Sequence, residues 1–151
     1  MGLDMYLTAH QYLNNWGTPE QTAVHKAVNE ALNSPLGEVQ EVTIEVAYWR
    51  KANAIHRWFV NNVQEGVDEC QTTPLSRDKL EELLIVVNQV VDDHDLAHEL
   101  LPASEGFFFG GQEYDEWYFE KLSYTKQMLE KLLTDLNDKN LCVTLYYHAS
   151  W

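Results

Sequence analysis

Two arginines, a histidine and two tryptophans lie within Val46–Gln64, a stretch that contains no acidic residue. Read as one helix, this stretch places Arg50 and Arg57 two turns apart, about 10 Å, on the same face. Guanidinium groups bind phosphate or carboxylate oxygens through paired hydrogen bonds, and aromatic rings stack on flat ligands. The pattern predicts a site for a small, nucleotide-like anion made of these residues: Trp49, Arg50, Asn53, His56, Arg57, Trp58 and, from a later loop, Phe108.

The same cations have a structural alternative. Arg50, Lys51 and Arg57 give Val46–Gln64 its positive charge, and residues 65–120 hold fifteen Asp and Glu but only two basic residues. Internal ion pairs between the two segments would satisfy both sets of charges. The charge layout favours this interpretation over the ligand site.

A second cluster has the composition of a metal site. Asp92-Asp93-His94-Asp95 precedes His98, and the two histidines, four residues apart, would share a helix face. Two histidines and a carboxylate can bind zinc or another divalent metal. The His-Asp pair resembles that of metal-dependent phosphohydrolases, with His56 as a further ligand, but those enzymes are all-helical. A solvated acidic helix end is the simpler explanation, so we predict no metal and no cofactor.

Three consecutive phenylalanines lie between glycines in the loop 106–111, just before a predicted helix. Helix N-termini bind anions, but Glu113, Asp115 and Glu116 fill the first turn here and would repel one. We therefore expect the rings to fill the core, with a pocket wall as the alternative. Phe108 is the ring assigned to the ligand site.

The charge is strongly negative and unevenly distributed. The formal net charge is −14, and residues 65–120 alone account for −13. Proteins bind nucleic acids generally by neutralising phosphates with Lys and Arg, so this composition excludes a general nucleic-acid binder. An acidic segment improves solubility. It is also complementary to a partner protein with a basic surface.

Other sequence features narrow the class. No apolar run approaches the roughly 18 residues of a membrane-spanning helix. The first residues lack the features of a secretory signal, so we expect a cytoplasmic protein. Cys70 and Cys142 are isolated, which indicates neither a disulfide nor a zinc site. No Ser-His-Asp set, phosphate-binding loop or dinucleotide-binding motif is present, so no catalytic residue is predicted.

Hydrophobic periodicity predicts one α+β domain over residues 1–151. Alternating residues predict strands, and Thr18-Pro19 with Gln21 is a strong helix start. The predicted strands are Gly2–His10, Glu38–Glu45 and Leu141–Ala149, and the predicted helices are Thr18–Asn33 (burying Val24, Val28 and Leu32), Val46–Gln64, one from Ser76 with an added turn at Leu96–Leu101, and Glu113–Asp138. This gives a sheet of about three strands, antiparallel, packed with about four helices.

Three motifs carry a resemblance to a known family. They are Gly2-Leu3-Asp4-Met5-Tyr6-Leu7, then Tyr48-Trp49-Arg50-Lys51-Ala52-Asn53 with Ile55-His56 and Trp58-Phe59-Val60, then Gly106-Phe107-Phe108-Phe109-Gly110 before Tyr114-Asp115-Glu116. The chain resembles a family of small accessory proteins of tailed bacteriophages and prophages. The helix at Thr18–Asn33 looks like an insertion relative to its shorter members. The resemblance implies action in a bacterial host cytoplasm and implies no activity.

These observations lead to one functional prediction and two alternatives. We predict a non-enzymatic phage accessory protein that binds a host or defence component through its acidic residues 65–120. The first alternative is a protein that binds or sequesters a small anionic ligand with Val46–Gln64. The second is a metal-dependent hydrolase. The oligomeric state is not predicted.

Overall fold

The computed structural model describes residues 2–106 and 111–151 of the chain. Phe108 lies outside the described residues. The elements in chain order are β1 Asp4–Tyr12, α1 Pro19–Leu32, β2 Glu41–Arg50, α2 Asn53–Asn62, β3 Thr73–Leu75, α3 Arg77–Asp92, a 3-10 turn His94–Leu96, α4 Ala97–Leu100, α5 Glu116–Asp135 and β4 Val143–Ser150.

The strands form one antiparallel sheet in the order β2-β1-β4-β3. Along β1 every second residue is buried, so one face of the sheet meets the core and the other faces outward. The α+β class is confirmed. The described sheet has four strands, one more than predicted, because Thr73–Leu75 pairs with β4. Three residues around a proline carry too little alternation to be recognised as a strand.

The inner face of the sheet shares one hydrophobic core with α2, α3 and α5. Phe59 of α2 lies against Tyr147 of β4, with ring centroids 3.9 Å apart and nearly parallel planes. Trp49 of β2 is 3% exposed, and its indole Nε1 donates to the Thr125 Oγ1 of α5 at 2.9 Å. The core thus joins strands from both ends of the chain to helices from its middle.

The prediction of one helix over Val46–Gln64 is wrong for its first part. β2 continues to Arg50, and α2 begins only at Asn53. The β-branched and aromatic residues at 46–49 suit a strand, and β1 offers a partner along that whole length, with Met5 opposite Trp49. The apolar and aromatic residues of this stretch are compatible with a buried helix as well as with a strand. The pairing with β1 makes residues 46–50 a strand. As predicted, α2 is central: seven of its ten residues are buried.

Helix α1 begins where the sequence predicts, but it does not bury the predicted residues. Thr18 and Gln21 form the expected capping box. Val24 is 42% and Leu32 is 62% exposed, and His25 is the residue that α1 buries. The helix contacts the rest of the chain through polar groups, such as the Asn29 side chain bonded to the Val39 backbone.

The bond between Trp49 and Thr125 can be tested with a matched pair of substitutions on α5. Thr125 and Thr134 each donate to the carbonyl four residues earlier, but only Thr125 also accepts from a buried indole. Thr125→Val leaves the Trp49 N–H without an acceptor, so it should lower the free energy of unfolding by about 1–3 kcal/mol. Thr134→Val, at an exposed position, should change it by less than about 0.5 kcal/mol. Equal effects in urea unfolding would contradict this account.

Candidate functional site

The predicted ligand residues Trp49 and Arg50 lie on opposite faces of the sheet, because they are neighbours on β2. Trp49 points into the core, whereas Arg50 is exposed on the outer face, with its Nε 3.9 Å from the Asp4 Oδ1. The Tyr48 hydroxyl donates a hydrogen bond to the same Asp4 carboxylate. Arg50 is therefore held near β1 and is directed away from α2.

Arg57 and Trp58 lie on α2. Trp58 is buried, and Arg57 is exposed beside a shallow cavity of about 230 Å³ that Glu99 also lines. Among the described residues Arg57 makes no ion pair within 4.0 Å. The two arginines thus lie on different elements, and the prediction of a two-arginine face on one helix is wrong. The alternative prediction fares no better for Arg50, whose ion pair is with Asp4 and not with residues 65–120.

His56 is the best-connected of the predicted residues. It is 1% exposed, its Nε2 lies 3.0 Å from the Asp68 Oδ2, and its Nδ1 lies 2.7 Å from the Tyr147 hydroxyl. A carboxylate only accepts, so Nε2 carries the proton toward Asp68; in the neutral ring, Nδ1 then accepts from Tyr147. The other oxygen of Asp68 accepts from the indole of Trp151 at 3.2 Å.

This network resembles a catalytic relay, but its histidine and tyrosine are closed off from solvent. Tyr147 is fully buried, and burial raises the pKa of its hydroxyl well above the ordinary value near 10. No substrate can reach that hydroxyl, and both nitrogens of His56 are occupied, which leaves none for a metal ion. The network ties α2, the loop after it and β4 together. Its role is structural.

Asn53 begins α2 and organises a loop that is distant in sequence. Its Oδ1 accepts from the Ser104 backbone N–H at 3.0 Å, and its Nδ2 donates to the Gly111 carbonyl at 2.9 Å. The side chain is buried and bonds to the backbone at both Ser104 and Gly111. Asn53 therefore holds these two residues beside the start of α2.

A cavity of about 220 Å³ opens at the start of α2. Ala52 at the N-cap position offers no side-chain cap, so the positive end of the helix dipole faces the cavity. The Lys121 Nζ donates to the Lys51 carbonyl at 3.2 Å. Burial lowers the pKa of Lys121, the nearby carboxylate of Asp115 opposes this shift, and the charge of Lys51 adds to it. The lining is Lys51, Ala52, Asn53, Ala54, Ile55, Gly111, Glu113, Asp115, Trp117, Tyr118, Lys121 and Leu122.

The structure also brings together two acidic clusters that are separate in sequence. The His94 ring stacks on Phe119 with centroids 3.7 Å apart, and the Tyr118 hydroxyl donates to the Leu101 carbonyl at 2.7 Å. These contacts hold the end of α3 against the start of α5. We call the exposed acids near these contacts the acidic end, which comprises Asp92, Asp93, Asp95, Glu99, Glu113, Asp115, Glu116 and Glu120. Trp117 follows Glu116 in the first turn of α5 and lines the cavity at the start of α2 together with Glu113 and Asp115.

Few of these acids have a counter-charge. Of the fifteen acids in residues 65–120, only Glu81 and Glu82 form ion pairs with Lys or Arg within the described part of the chain, and Asp68 lies beside His56. All eight acids of the acidic end are exposed. The side chains of Asp93 and Asp115 cap a 3-10 turn and α5. Asp92, in contrast, ends α3, which has no basic residue in its last turn, and a negative charge there opposes the helix dipole.

Other features of the described residues limit the chemistry. No three His, Cys, Asp or Glu side chains within them are grouped as metal ligands, and His94 lies flat on Phe119. No helix in this part of the chain has the length and apolar character needed to cross a membrane. Comparisons with models of protein families, with curated proteins and with solved structures found no match to this chain.

Sequence reasoning found His56 and Asn53 but missed their partners. Tyr147 is distant from His56 in sequence, and Asp68 lies in the loop after α2. Only the folded chain brings both within hydrogen-bonding distance of His56. Trp117 lies in the first turn of α5 and is 69% exposed. Its position beside Glu113, Asp115 and Glu116 is the sequence signal that it faces solvent.

Substitution of Tyr147 tests the structural role of the buried network. Tyr147→Phe keeps the ring stack but leaves the buried His56 Nδ1 without its donor, so the free energy of unfolding should fall by about 1–3 kcal/mol at neutral pH. Because the pKa of Tyr147 is raised in the folded state, its contribution is present below pH 10 and is lost as the pH rises further. The variant should therefore lose less stability than the wild type between pH 9 and pH 11.

The matched control is Tyr146→Phe on the outer face of the same strand, which should change stability by less than about 0.5 kcal/mol. Chemical denaturation at several pH values measures both effects. If Tyr147→Phe were as stable as Tyr146→Phe, the hydrogen bond to His56 would contribute nothing to the fold.

Proposed function

We propose that this protein is a non-enzymatic binding protein whose acidic end docks on a basic surface of a partner protein. The observation that carries the proposal is that the His94–Phe119 stack brings together two clusters of exposed acids, none of which forms an ion pair within 4.0 Å in the described part of the chain. The resemblance to phage accessory proteins makes a host or defence component the proposed partner, in the cytoplasm of the bacterial host.

The position of the acids argues for binding over stability. Acidic residues at the start of α5 stabilise that helix, since they complement its dipole. Asp92 at the end of α3 has the opposite effect, and the nearby acids Asp93 and Asp95 repel it. A surface that costs stability in the isolated protein, and that a cationic partner would relieve, is the kind that binding retains.

The exposed ring of Trp117 can anchor a partner on the charged surface. Most of its ring is exposed, and it lies among Glu113, Asp115 and Glu116. Binding energy at interfaces concentrates in a few Trp, Tyr and Arg residues surrounded by polar groups. An arginine or lysine of the partner can stack on the indole while it pairs with the surrounding carboxylates.

The double substitution Asp92→Asn and Asp95→Asn separates binding from stability. Removing these charges should raise the free energy of unfolding by a few tenths of a kcal/mol at low salt, because Asp92 opposes the dipole of α3 and both acids repel their neighbours. It should also lower the salt concentration at which a captured partner elutes from the immobilised protein, because exposed charges are screened over roughly 10 Å at 0.1 M salt. Trp117→Ala should weaken capture without changing stability.

The control is Glu30→Gln with Glu130→Gln. It removes the same two negative charges, but from positions on α1 and α5 away from the acidic end. This control variant should have the same free energy of unfolding and the same elution point as the wild type. Urea unfolding and salt-gradient capture from bacterial lysate measure the two quantities. A double variant at 92 and 95 that is less stable than the wild type, and that retains a partner equally well, would show that these acids serve the fold alone.

A second candidate function is the binding of a small anion in the cavity at the start of α2. The specific observation in its favour is that an uncapped helix N-terminus opens beside Lys51 and Lys121. Helix N-termini with nearby cations bind phosphate groups, and Trp117 could stack on an attached ring. Glu113 and Asp115 on the opposite wall weaken the field for an anion. This candidate retains Asn53 from the predicted site and replaces the two arginines with two lysines.

Thermal unfolding with inorganic phosphate and with a nucleoside monophosphate tests this candidate. If the cavity is the site, either probe should raise the melting temperature of the wild type and of Lys131→Met, a control on the exposed face of α5. The probe should have no effect on Lys51→Met combined with Lys121→Met, because the two cations that would neutralise the phosphate are gone. Absence of a shift in the wild type, or an equal shift in the double variant, would remove the candidate.

A further inference from the structure

One long edge of the sheet has no strand beside it. β2 lies at the end of the strand order and, within the described chain, pairs only with β1. It has ten residues, whereas β3 at the opposite edge has three. An unpaired strand of this length presents a row of backbone N–H and C=O groups that readily pair with another strand.

β2 also lacks most of the protection that exposed edges usually carry. Proteins block such edges with proline, lysine or strong twisting, and residues 41–50 contain neither proline nor lysine. Ile44 and Tyr48 are 43% and 40% exposed. The edge-facing N–H of Tyr48 meets the Tyr124 hydroxyl at 3.5 Å, which is long for a hydrogen bond. A bulge at Val46 is the one irregularity along the strand.

The charges at the two ends of β2 are complementary when two copies of the strand lie antiparallel. Its charged residues are Glu41, Glu45 and Arg50. When two copies of the strand run antiparallel with Glu41 of one opposite Arg50 of the other, two such pairs form, one on each side of a two-fold axis. In this register Thr43 lies opposite Tyr48, and the two bulges meet at the axis.

The same register matches the faces of the sheet. On β1 the partners of Glu41, Thr43, Tyr48 and Arg50 are Tyr12, His10, Tyr6 and Asp4, which alternate with the buried residues and lie on the outer face. Residues on one face of a strand direct their backbone groups toward the same edge. Since the Tyr48 N–H points outward, the backbone groups of these four residues are the ones available to a second strand.

We propose that two copies of this chain pair through β2 around a two-fold axis and join their sheets into one eight-stranded antiparallel sheet. The surface of α5 beside β2 is also compatible with a second copy of the chain. A cleft of about 380 Å³ beside β2 is lined by Val46, Tyr124, Gln127, Met128, Lys131, Leu132 and Asp135. A two-fold axis perpendicular to the sheet brings α5 of the second copy antiparallel to α5 of the first and covers this cleft.

Charge reversal at the two ends of β2 tests the dimer. Sedimentation equilibrium of the full chain, at about 0.15 M salt to screen the net charge of each copy, should give twice the monomer mass of 17.5 kDa. Glu41→Arg and Arg50→Glu should each weaken dimerisation by about tenfold or more, because each sets like charges opposite one another. The combined swap keeps the wild-type net charge and should restore the dimer.

Arg57→Glu is the control for Arg50→Glu, since it makes the same charge change at an exposed position on α2. It should dimerise like the wild type, and circular dichroism should show all variants folded. A wild type that stays monomeric over the whole concentration range would overturn the proposal. So would a dimer that persists in both single variants, because that dimer would use another surface.

Discussion

The chain must reverse between β2 and α2 within two residues, and the rest of the structure depends on that turn. Lys51 adopts a left-handed backbone conformation, with φ at 54°, and its N–H donates to the Leu3 carbonyl at 2.7 Å. Such a conformation costs a non-glycine residue free energy and persists only where the surroundings fix it. The turn brings α2 back over the core. It thereby places His56 against Tyr147, Asn53 against residues 104 and 111, and the start of α2 at the mouth of the 220 Å³ cavity.

The second organising feature is the separation of charge. Two of the cations near α2 have local partners: Arg50 lies beside Asp4, and Lys121 donates to the backbone of Lys51. In the described chain, none of the acids at the ends of α3 and α5 forms an ion pair within 4.0 Å. A protein at −14 gains solubility from any arrangement of acids. The concentration of acids near the exposed Trp117, with Asp92 opposed to the dipole of α3, supports the binding surface proposed above.

The sequence predicted the elements better than their contacts. Local signals were sufficient at the helix starts Thr18 and Ser76, where the capping residues agree with the fold. They were also sufficient along α3, whose buried residues recur with helical periodicity. They failed at residues 46–50, because an apolar, aromatic run satisfies a helix or a strand and only pairing with β1 distinguishes the two. That one error moved Trp49 and Arg50 onto the wrong element and with them the two-arginine site.

The remaining site features could not be read from the sequence for a different reason. The bond between His56 and Tyr147 spans 91 positions, and the stack of His94 on Phe119 joins two helices with a loop between them. Neither contact leaves a local pattern. The acidic segment was visible as a composition, but only the folded chain shows which acids lie together and that Trp117 lies among them.

The most direct test of the central claim is a nuclear magnetic resonance titration of the ¹⁵N-labelled chain with a short peptide rich in arginine and lysine. The account predicts saturable shifts, with one common affinity, in the amides of residues 92–99 and 113–120 and in the indole N–H of Trp117, all lost at high salt. Shifts spread over acids elsewhere, such as Glu20, Glu30 and Glu130, or no saturable shift at all, would contradict a specific acidic docking surface.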